Sequence, residues 1–258
     1  MFQTSVLASG SKGNAILVRS KSTSIIVDAG ISMRRILSAL DQLKVPPASV
    51  KAVIVSHEHS DHTRGAGALS RTLKIPVYIS PDTYAYSMHK LGSLHDRLIY
   101  FENGAAFEVG DILIQPFSSS HDAADSSNFC FEHDERRLGL ATDLGYPTRL
   151  TVQKLGDVHS LILESNHDLK MLMEGPYEWS LKMRVKSNKG HLSNEQAVGL
   201  ISQILHPGLQ NIILAHLSET NNLPDLADKL MRQYLESIRS EVKLLVASQD
   251  CHTPLVDV

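Results

Sequence analysis

The feature that most constrains this chain is the segment Ser56-His57-Glu58-His59-Ser60-Asp61-His62, in which four side chains able to bind a metal fall within six residues. It follows directly after Lys51-Ala-Val-Ile-Val55, whose apolar run predicts a buried strand. Imidazole and carboxylate groups together suit divalent zinc, and also iron or manganese. The segment therefore predicts a metal-binding loop at the end of a buried strand.

The spacing within this segment separates its side chains into two pairs. In an extended turn, His57 and His59 point to one side and can bind a single ion. Asp61 and His62 lie farther along the chain, too far for the same tetrahedral site and well placed for a second ion. The helical zinc motif with histidines four residues apart does not fit, because position 61 is an aspartate. We interpret His-x-His-x-Asp-His as half of a two-metal site.

The size and composition of the chain predict an ordinary globular protein. With 258 residues, of which 42% are hydrophobic and 21% charged, it can bury a substantial core, and no linker or shift in composition divides it. We therefore expect a single domain over residues 1–258. The net charge of −3 excludes a globally basic surface, so any nucleic-acid-binding surface has to be local.

No segment predicts secretion or insertion into a membrane. The amino-terminal residues lack a basic stretch followed by a long apolar one, and no apolar run approaches the length that spans a bilayer. Only Cys130 and Cys251 are present, too few for a disulfide framework. We expect a cytoplasmic protein with no membrane partner, and the sequence does not determine an oligomeric state.

Short β-rich runs alternate with segments of helical periodicity along the whole chain. Strands are expected at residues 4–8, 15–18, 24–27, 51–55, 75–79, 97–101, 106–109, 112–117, 129–132, 137–141, 160–163, 211–215 and 242–247. Helices are expected at residues 31–43, 63–73, 81–90, 151–155, 193–205 and 225–240. The two halves of the chain share a β-then-α order, which predicts two sheets sandwiched between helices.

Further residues able to bind a metal recur where predicted strands end. His121, Asp143 and His216 each follow such a strand, and functional loops in α/β folds gather where strands stop. His252 also follows a strand and is the alternative to His216. Asp28, at another strand end, either orients a ligand histidine or is only a turn carboxylate before a helix.

These segments resemble the metallo-β-lactamase superfamily, an αβ/βα sandwich of hydrolases. The resemblance is carried, in order, by His57-x-His-x-Asp-His62, Ser-His121-Asp, Ala-Thr-Asp143 and Ala-His216-Leu-Ser. More narrowly, four segments resemble the bacterial YycJ/WalJ-like group: Leu7–Asn14, Glu164–Asp168, Gly190–Asn194 and His216–Asn222. That group is similar to RNase Z and to the PhnP phosphodiesterases and is linked to DNA exonuclease activity. The fold implied is a four-layer αβ/βα sandwich with two mixed sheets flanked by helices.

The resemblance also implies a centre of two divalent metal ions. The implied ligands of the first ion are His57, His59 and His121. Those of the second are Asp61, His62 and His216, and Asp143 bridges both. Zinc or manganese suits such ligands, and Fe²⁺ is compatible with them. The implied activity is a dinuclear phosphodiesterase that acts as a DNA exonuclease or other DNA nuclease in DNA maintenance, with Asp61 orienting the attacking nucleophile.

Glu164 and His191 occupy places similar to those of a glutamate and a histidine that together protonate the leaving oxygen in RNase Z-like enzymes. A phosphodiester's alkoxide departs poorly without a proton, and an imidazole can supply one. Leu163 precedes the glutamate here, where those enzymes have a histidine. The alternative for His191 is a residue that bonds the backbone at the entry to a helix, and His167 has either a substrate contact or no functional role.

A local basic segment bears on the substrate. Four basic residues lie within eight positions just before His191, namely Lys182, Arg184, Lys186 and Lys189. Such a stripe can follow a phosphate backbone, so we expect a nucleic-acid substrate, with DNA favoured; a solvated helix face is the alternative. The alternative function is a small-molecule hydrolase on the same metal centre, such as a cyclic-phosphate phosphodiesterase, a thioesterase or a lactonase.

Overall fold

A computed structural model describes residues 1–258 as fourteen strands and nine α-helices. The strands are β1 (Phe2–Ala8), β2 (Ala15–Ser20), β3 (Ser24–Val27), β4 (Val50–Ile54), β5 (Val77–Ile79), β6 (Leu98–Tyr100), β7 (Phe107–Val109), β8 (Ile112–Ser118), β9 (Ser127–His133), β10 (Arg136–Ala141), β11 (Ser160–Glu164), β12 (Asn211–Ala215), β13 (Lys243–Val246) and β14 (Val256–Asp257). The helices are α1 (Met33–Gln42), α2 (Ser60–Thr63), α3 (Ala66–Leu73), α4 (Pro81–Leu91), α5 (Arg149–Leu155), α6 (Leu169–Glu174), α7 (Trp179–Lys186), α8 (Asn194–Ile204) and α9 (Pro224–Ser237).

The strands form two sheets of seven strands with similar layouts. The amino-terminal sheet has the order β14-β1-β2-β3-β4-β5-β6, and the carboxy-terminal sheet has the order β13-β12-β11-β10-β9-β8-β7. In each sheet one side is antiparallel and the other is parallel, with the change at β3 in the first sheet and at β10 in the second. The prediction of two mixed sheets is confirmed.

Three apolar layers hold the sheets and helices together. The layer between the sheets includes Ile54 and Ile213, which are fully or almost fully buried. A second layer, around Leu69, packs α1 and α3 against the amino-terminal sheet, and a third, around Leu200, packs α8 and α9 against the carboxy-terminal sheet. Parallel strands such as β11 and β12 are buried along their whole length because both of their faces are covered. The layers therefore follow the order helix, sheet, sheet, helix, as the resemblance implied.

Two elements of the structure differ from the prediction. The helix expected at residues 63–73 is divided into α2 and α3, because the chain at Gly65 approaches another segment closely: its N–H donates to the Ala29 carbonyl at 2.6 Å, and a Cβ there would lie 2.2 Å from the Ile31 carbonyl oxygen. In addition, no strand is predicted after residue 247, whereas Val256–Asp257 form β14, which pairs antiparallel with β1.

The topology places several strand ends at one edge of each sheet. In the amino-terminal sheet, β3 and β4 are parallel and end together. In the carboxy-terminal sheet, β10, β11 and β12 are parallel, and β8 runs in the same direction because both β8 and β10 are antiparallel to β9. The loops that carry the predicted ligands leave from these ends. No helix combines the length and the apolar character that a bilayer crossing requires.

Candidate metal centre

The loops at these strand ends bring together all seven residues predicted to bind metal. Ligand atoms of His57, His59 and His121 lie within 4.8 Å of one another, and so do those of Asp61, His62 and His216. Asp143 belongs to a similar group with His57 and His62, and to another with Glu164, His191 and His216. Side chains from both sheets are thus positioned for a metal site, and which of them bind an ion, and how many ions, stays a prediction.

The first group consists of three imidazole rings that converge. His59 Nδ1 lies 3.1 Å from His57 Nε2 and 3.3 Å from His121 Nε2. His57 and His59 lie in the loop between β4 and α2, whereas His121 follows β8. Three ring nitrogens at these distances cannot direct their lone pairs at one another without a proton or a cation between them. The geometry therefore suits a cation.

The second group mixes imidazole and carboxylate ligands. His62 Nε2 lies 3.3 Å from Asp61 Oδ2 and 3.4 Å from Asp143 Oδ2, and His216 Nε2 lies 3.7 Å from Asp61 Oδ2. The other carboxylate oxygen of Asp143 lies 3.7 Å from His121 Nε2. The same oxygen lies 3.6 Å from His216 Nε2, so Asp143 lies between the two groups, in the position that a bridging ligand requires.

Two atoms of the centre test directly whether these residues fit a metal. Asp143 Oδ2 and His216 Nε2 are buried and have no hydrogen-bond partner in the protein. A buried polar atom without a partner costs about 1–3 kcal/mol, and such atoms are rare in folded proteins. A divalent cation between them would satisfy both, so the donor set fits a metal.

The electrostatics of the centre favour added positive charge. Burial disfavours an ionised Asp143, but His216 and His62 hold its pKa well below the usual range. Burial also disfavours a charged His216, yet Asp143 and Asp61 raise its pKa to about 10. Burial lowers the pKa of His57 well below its usual value. The carboxylates therefore stay ionised and are balanced by protons or by metal ions.

Asp28 lies behind the second group, at the end of β3. His62 Nδ1 donates to its Oδ2 at 2.7 Å, and the backbone N–H and hydroxyl of Ser56 donate to its two oxygens, each at 2.8 Å. Fixing Nδ1 in this way leaves Nε2 of His62 to face the cluster. Asp28 is therefore an acceptor that orients a histidine of the centre, not only a turn carboxylate.

Glu164 likewise accepts hydrogen bonds from histidines of the centre, in this case from two of them. Its Oε1 accepts from His191 Nδ1 at 2.8 Å and from His216 Nδ1 at 2.9 Å, and its Oε2 accepts from the backbone N–H groups of Leu144 and Leu192. Burial opposes its ionisation, but His191 and His216 lower its pKa to about 2. The predicted contact between Glu164 and His191 is therefore present, and Glu164 also holds a residue of the metal cluster.

A cavity of about 220 Å³ opens above both groups. Asp143 and His216, which are almost fully buried, form its floor, and Asp61 and His191 also line it. Glu164 does not line the cavity and is fully buried. It therefore positions His191 from behind, and His191 is the member of this pair that can meet a substrate.

Comparisons with known proteins agree with this geometry. A sequence model of the metallo-beta-lactamase superfamily matches residues 8–181. The chain belongs to this superfamily. The exodeoxyribonuclease YycJ of Bacillus anthracis is 37% identical to it over 233 residues, which cover 90% of this chain and 88% of the relative. The exodeoxyribonuclease WalJ of Streptococcus pneumoniae serotype 2 (strain D39 / NCTC 7466) is 33% identical over 266 residues, 100% of this chain and 98% of the relative.

The fold also matches a solved structure. The crystal structure of human tRNase Z, short form, superposes with a TM-score of 0.67 at 13% identity, and the match covers 99% of this chain and 100% of the other. At this identity the likeness shows the fold alone. The resemblance to the metallo-β-lactamase superfamily, and within it to the YycJ/WalJ-like group, is confirmed.

Other candidate histidines lie outside the metallo-β-lactamase centre. His252 Nε2 lies 3.0 Å from Gln42 Oε1, and the residue belongs to none of the groups around Asp143. His167 is buried away from the cavity, its backbone bridges to Ser193, and burial lowers its pKa to about 4. His216 is therefore the histidine that joins the cluster, and the structure favours the reading of His167 without a functional role.

The predicted basic stripe requires a correction at Lys182. This side chain is buried, and its Nζ donates to the Met173 carbonyl at 2.8 Å, so it is not exposed to a substrate. Lys186 and Lys189 are exposed but do not line the cavity. Arg184 lines the cavity. The segment does not form one continuous stripe, because its residues lie on different faces of α7 and of the loop that follows.

Residues that the sequence reading did not single out complete the centre. Asn14 Nδ2 lies 3.2 Å from His62 Nε2 and 3.5 Å from Asp61 Oδ2. Asn14 belongs to Leu7–Asn14, a segment that carries the narrower resemblance, but that pattern does not indicate that its side chain contacts the cluster. Asp122 lines the cavity beside His121, with an oxygen 3.4 Å from the ring Nε2. Its position directly after a candidate ligand was the available signal.

Proposed function

We propose that this chain is a metal-dependent phosphodiesterase that removes nucleotides from DNA, an exodeoxyribonuclease of the metallo-β-lactamase superfamily. Two relatives named exodeoxyribonuclease are 37% and 33% identical to it over most of both chains. The observation in the geometry that carries the proposal is the contact between Glu164 and His191 at the edge of the metal cluster. This pair gives the site a means to protonate a poor leaving group, which phosphodiester cleavage requires.

The proposed centre holds two divalent ions, zinc or manganese, with Fe²⁺ also compatible. The ligands of the first are His57, His59 and His121. Those of the second are Asp61, His62 and His216, with Asp143 shared between the two. When bound, the ions supply Lewis-acid stabilisation of the phosphate charge and make a water molecule more acidic.

Asp61 is the residue placed to orient the attacking water. It lines the cavity, and although burial opposes its ionisation, His62 and His216 hold its pKa below the usual range. An ionised carboxylate accepts hydrogen bonds only, so it directs the hydrogens of a water toward itself and the oxygen lone pair away. This orients the nucleophile toward a phosphorus atom bound in the cavity.

His191 is the residue placed to protonate the leaving oxygen. Its Nδ1 donates to Glu164, so Nε2 is the ring nitrogen that has no protein partner, in a residue that lines the cavity. The buried, ionised Glu164 holds the ring in this orientation without contacting the substrate. His191 is thus the proposed catalytic acid and Glu164 a positioning residue.

The decisive experiment combines metal analysis with a panel of substrates. The purified protein is analysed for stoichiometric metal and incubated with end-labelled single- and double-stranded DNA, with RNA, and with bis-p-nitrophenyl phosphate. We expect successive removal of nucleotides from DNA, and loss of all activity in Asp61→Ala. Metal-loaded protein that leaves labelled DNA uncut would overturn the proposal.

A second candidate is a hydrolase of small phosphodiesters on the same centre. The cavity of about 220 Å³ favours it, because pockets that bury a drug-sized ligand measure roughly 300–1,000 Å³. Turnover of cyclic phosphates or of bis-p-nitrophenyl phosphate without cleavage of DNA would support this candidate. Hydrolysis of a thioester or a lactone alone would overturn both, since neither substrate contains a phosphodiester.

A further inference from the structure

Arg184 is the only lysine or arginine that lines the cavity above the candidate metal centre. It shares this face of α7 with Leu181 and Val185, since residues three and four apart lie on the same side of a helix. Met183 and Lys186 lie on other faces of α7 and are exposed outside the cavity. The packing of α7 thus places a single basic side chain, that of Arg184, at the cavity.

Arg184 is held in place by the neighbouring Asp122. Its Nε donates to Asp122 Oδ2, and neither terminal nitrogen, Nη1 or Nη2, has a protein partner. Asp122 also lies beside His121, so this ion pair joins α7 to the edge of the candidate metal centre. A guanidinium fixed through Nε keeps its two terminal groups available as a planar fork, which matches the oxygens of a phosphate.

The position of Arg184 suits a phosphate other than the one that reacts. Its side chain is 61% exposed, so it lies at the mouth of the cavity, whereas Asp143 and His216, at 3% and 4% exposed, form the floor. Asp122 lies between the guanidinium and His121. A phosphate bound to the floor would therefore leave Arg184 to meet a second phosphate, one that enters or leaves through the mouth.

We propose that Arg184, oriented by Asp122, binds the phosphate next to the one that is cleaved, and so makes the site selective for a polynucleotide over an isolated phosphodiester. This rests on the proposed function, because DNA supplies an adjacent phosphate and an isolated phosphodiester does not. Asp122 is a positioning residue in this scheme, since it acts through the guanidinium.

A double-mutant cycle between protein and substrate tests the contact. One oligodeoxynucleotide carries a single uncharged methylphosphonate at the second linkage from the degraded end, and its partner is unmodified. For the wild-type protein we expect the methylphosphonate to lower kcat/KM by about 10- to 100-fold, the range of a hydrogen bond to a charged group. We expect Arg184→Ala to lose a similar factor on unmodified DNA and to lose little more when the methylphosphonate is present.

Lys186→Ala is the matched control, because it removes the same charge from the same helix outside the cavity. It should retain the wild-type response to the methylphosphonate. Arg184→Lys, which keeps the charge without the fork, should recover only part of the loss. Asp122→Ala should weaken the response to the methylphosphonate, because the guanidinium is no longer held, and in the Arg184→Ala background it should have no such effect.

The outcomes separate this inference from the proposed function. Wild-type protein that leaves unmodified DNA uncut overturns the proposed function, and with it the role of Arg184. If wild-type protein cuts DNA but the losses from Arg184→Ala and from the methylphosphonate multiply, the two groups do not interact and the assignment of Arg184 is wrong. An equal loss in Lys186→Ala also overturns it, because the effect would then be general electrostatic attraction.

Discussion

Asp28 and Glu164 are buried carboxylates at strand ends in different sheets, and each lies behind histidines of the candidate centre. Asp28 contacts one histidine, His62, at 2.7 Å, and its remaining hydrogen bonds go to Ser56. Glu164 contacts two, His191 at 2.8 Å and His216 at 2.9 Å. The amino-terminal carboxylate therefore supports the metal cluster alone, whereas the carboxy-terminal one connects the cluster to the proposed acid.

The backbone at these strand ends differs as well. Asp28, Asp143 and His216 have positive φ angles of 57°, 54° and 56°, a conformation that residues with a side chain rarely adopt. Glu164 is still in regular β11. Each left-handed residue costs of order 1 kcal/mol or more, and such strain gathers at functional sites. At these three positions a sharp turn of the chain, and not the strand itself, aims the side chain at the centre.

Among the changes that compare the two carboxylates and their histidines, Glu164→Gln should have the largest effect, because it disturbs both His191 and His216 at once. We expect kcat/KM on DNA to fall by at least about 1,000-fold, as loss of the acid and weaker metal binding combine. Stability should fall by about 3 kcal/mol, since the new amide N–H meets buried donors. Kinetics, metal analysis and urea unfolding measure these effects. Retention of full metal affinity would show that Glu164 does not support the cluster.

His191→Ala isolates the proposed acid from the cluster. We expect kcat on DNA to fall by about 100- to 10,000-fold with the metal content unchanged. The loss should be smaller with bis-p-nitrophenyl phosphate, whose p-nitrophenolate leaves without a proton. Steady-state kinetics on both substrates checks this, and an equal loss on both would mean that His191 is not the acid.

Asp28→Asn tests the support that Asp28 gives to the metal cluster without disturbing His191, the proposed acid. We expect the affinity for metal to fall by about 10- to 100-fold, the usual consequence of removing a partner of a ligand histidine. Chelator competition measures this affinity. With saturating metal, the ratio of activities on DNA and bis-p-nitrophenyl phosphate should stay at the wild-type value. A changed ratio would indicate that Asp28 also affects proton transfer, and the contrast with Glu164 would fail.

The segment that carries Glu164 also buries His167, and this predicts a smaller, pH-dependent effect. Burial lowers the pKa of His167 to about 4, whereas an unfolded histidine titrates near 6.5. Between these values the unfolded state binds a proton that the folded state does not, so stability falls as the pH falls. The contribution is about 2 kcal/mol between pH 7 and pH 5.

Urea unfolding of the wild type and of His167→Asn, each at both pH values, checks this effect. The variant is expected to lose less stability on acidification than the wild type, even if it is less stable at pH 7. The metal-site histidines titrate in both proteins, so their effect cancels in the comparison. Identical losses in the two proteins would show that His167 does not titrate as its burial requires.

The sequence by itself determined the sheets and the contiguous half of the site. Both signals are local: apolar runs bounded by polar turns predict strands, and residues 57–62 are close in space because they are close in the chain. The same locality explains the errors. The division at Gly65 depends on contact with Ala29 and Ile31, and β14 pairs with β1 through partners such as Thr4 and Val256. No local pattern reports such distant contacts.

Only the tertiary structure decided which contacts are made by the site residues that lie far apart in the sequence. His121, Asp143 and His216 could be named from their places after strands, but that Glu164 holds both His191 and His216 depends on how three loops meet. The same holds for α7, where Lys182 turns into the protein and Arg184 into the cavity. Which face of a helix meets a site depends on its packing. A run of basic residues in the sequence does not indicate how the helix that contains it will pack.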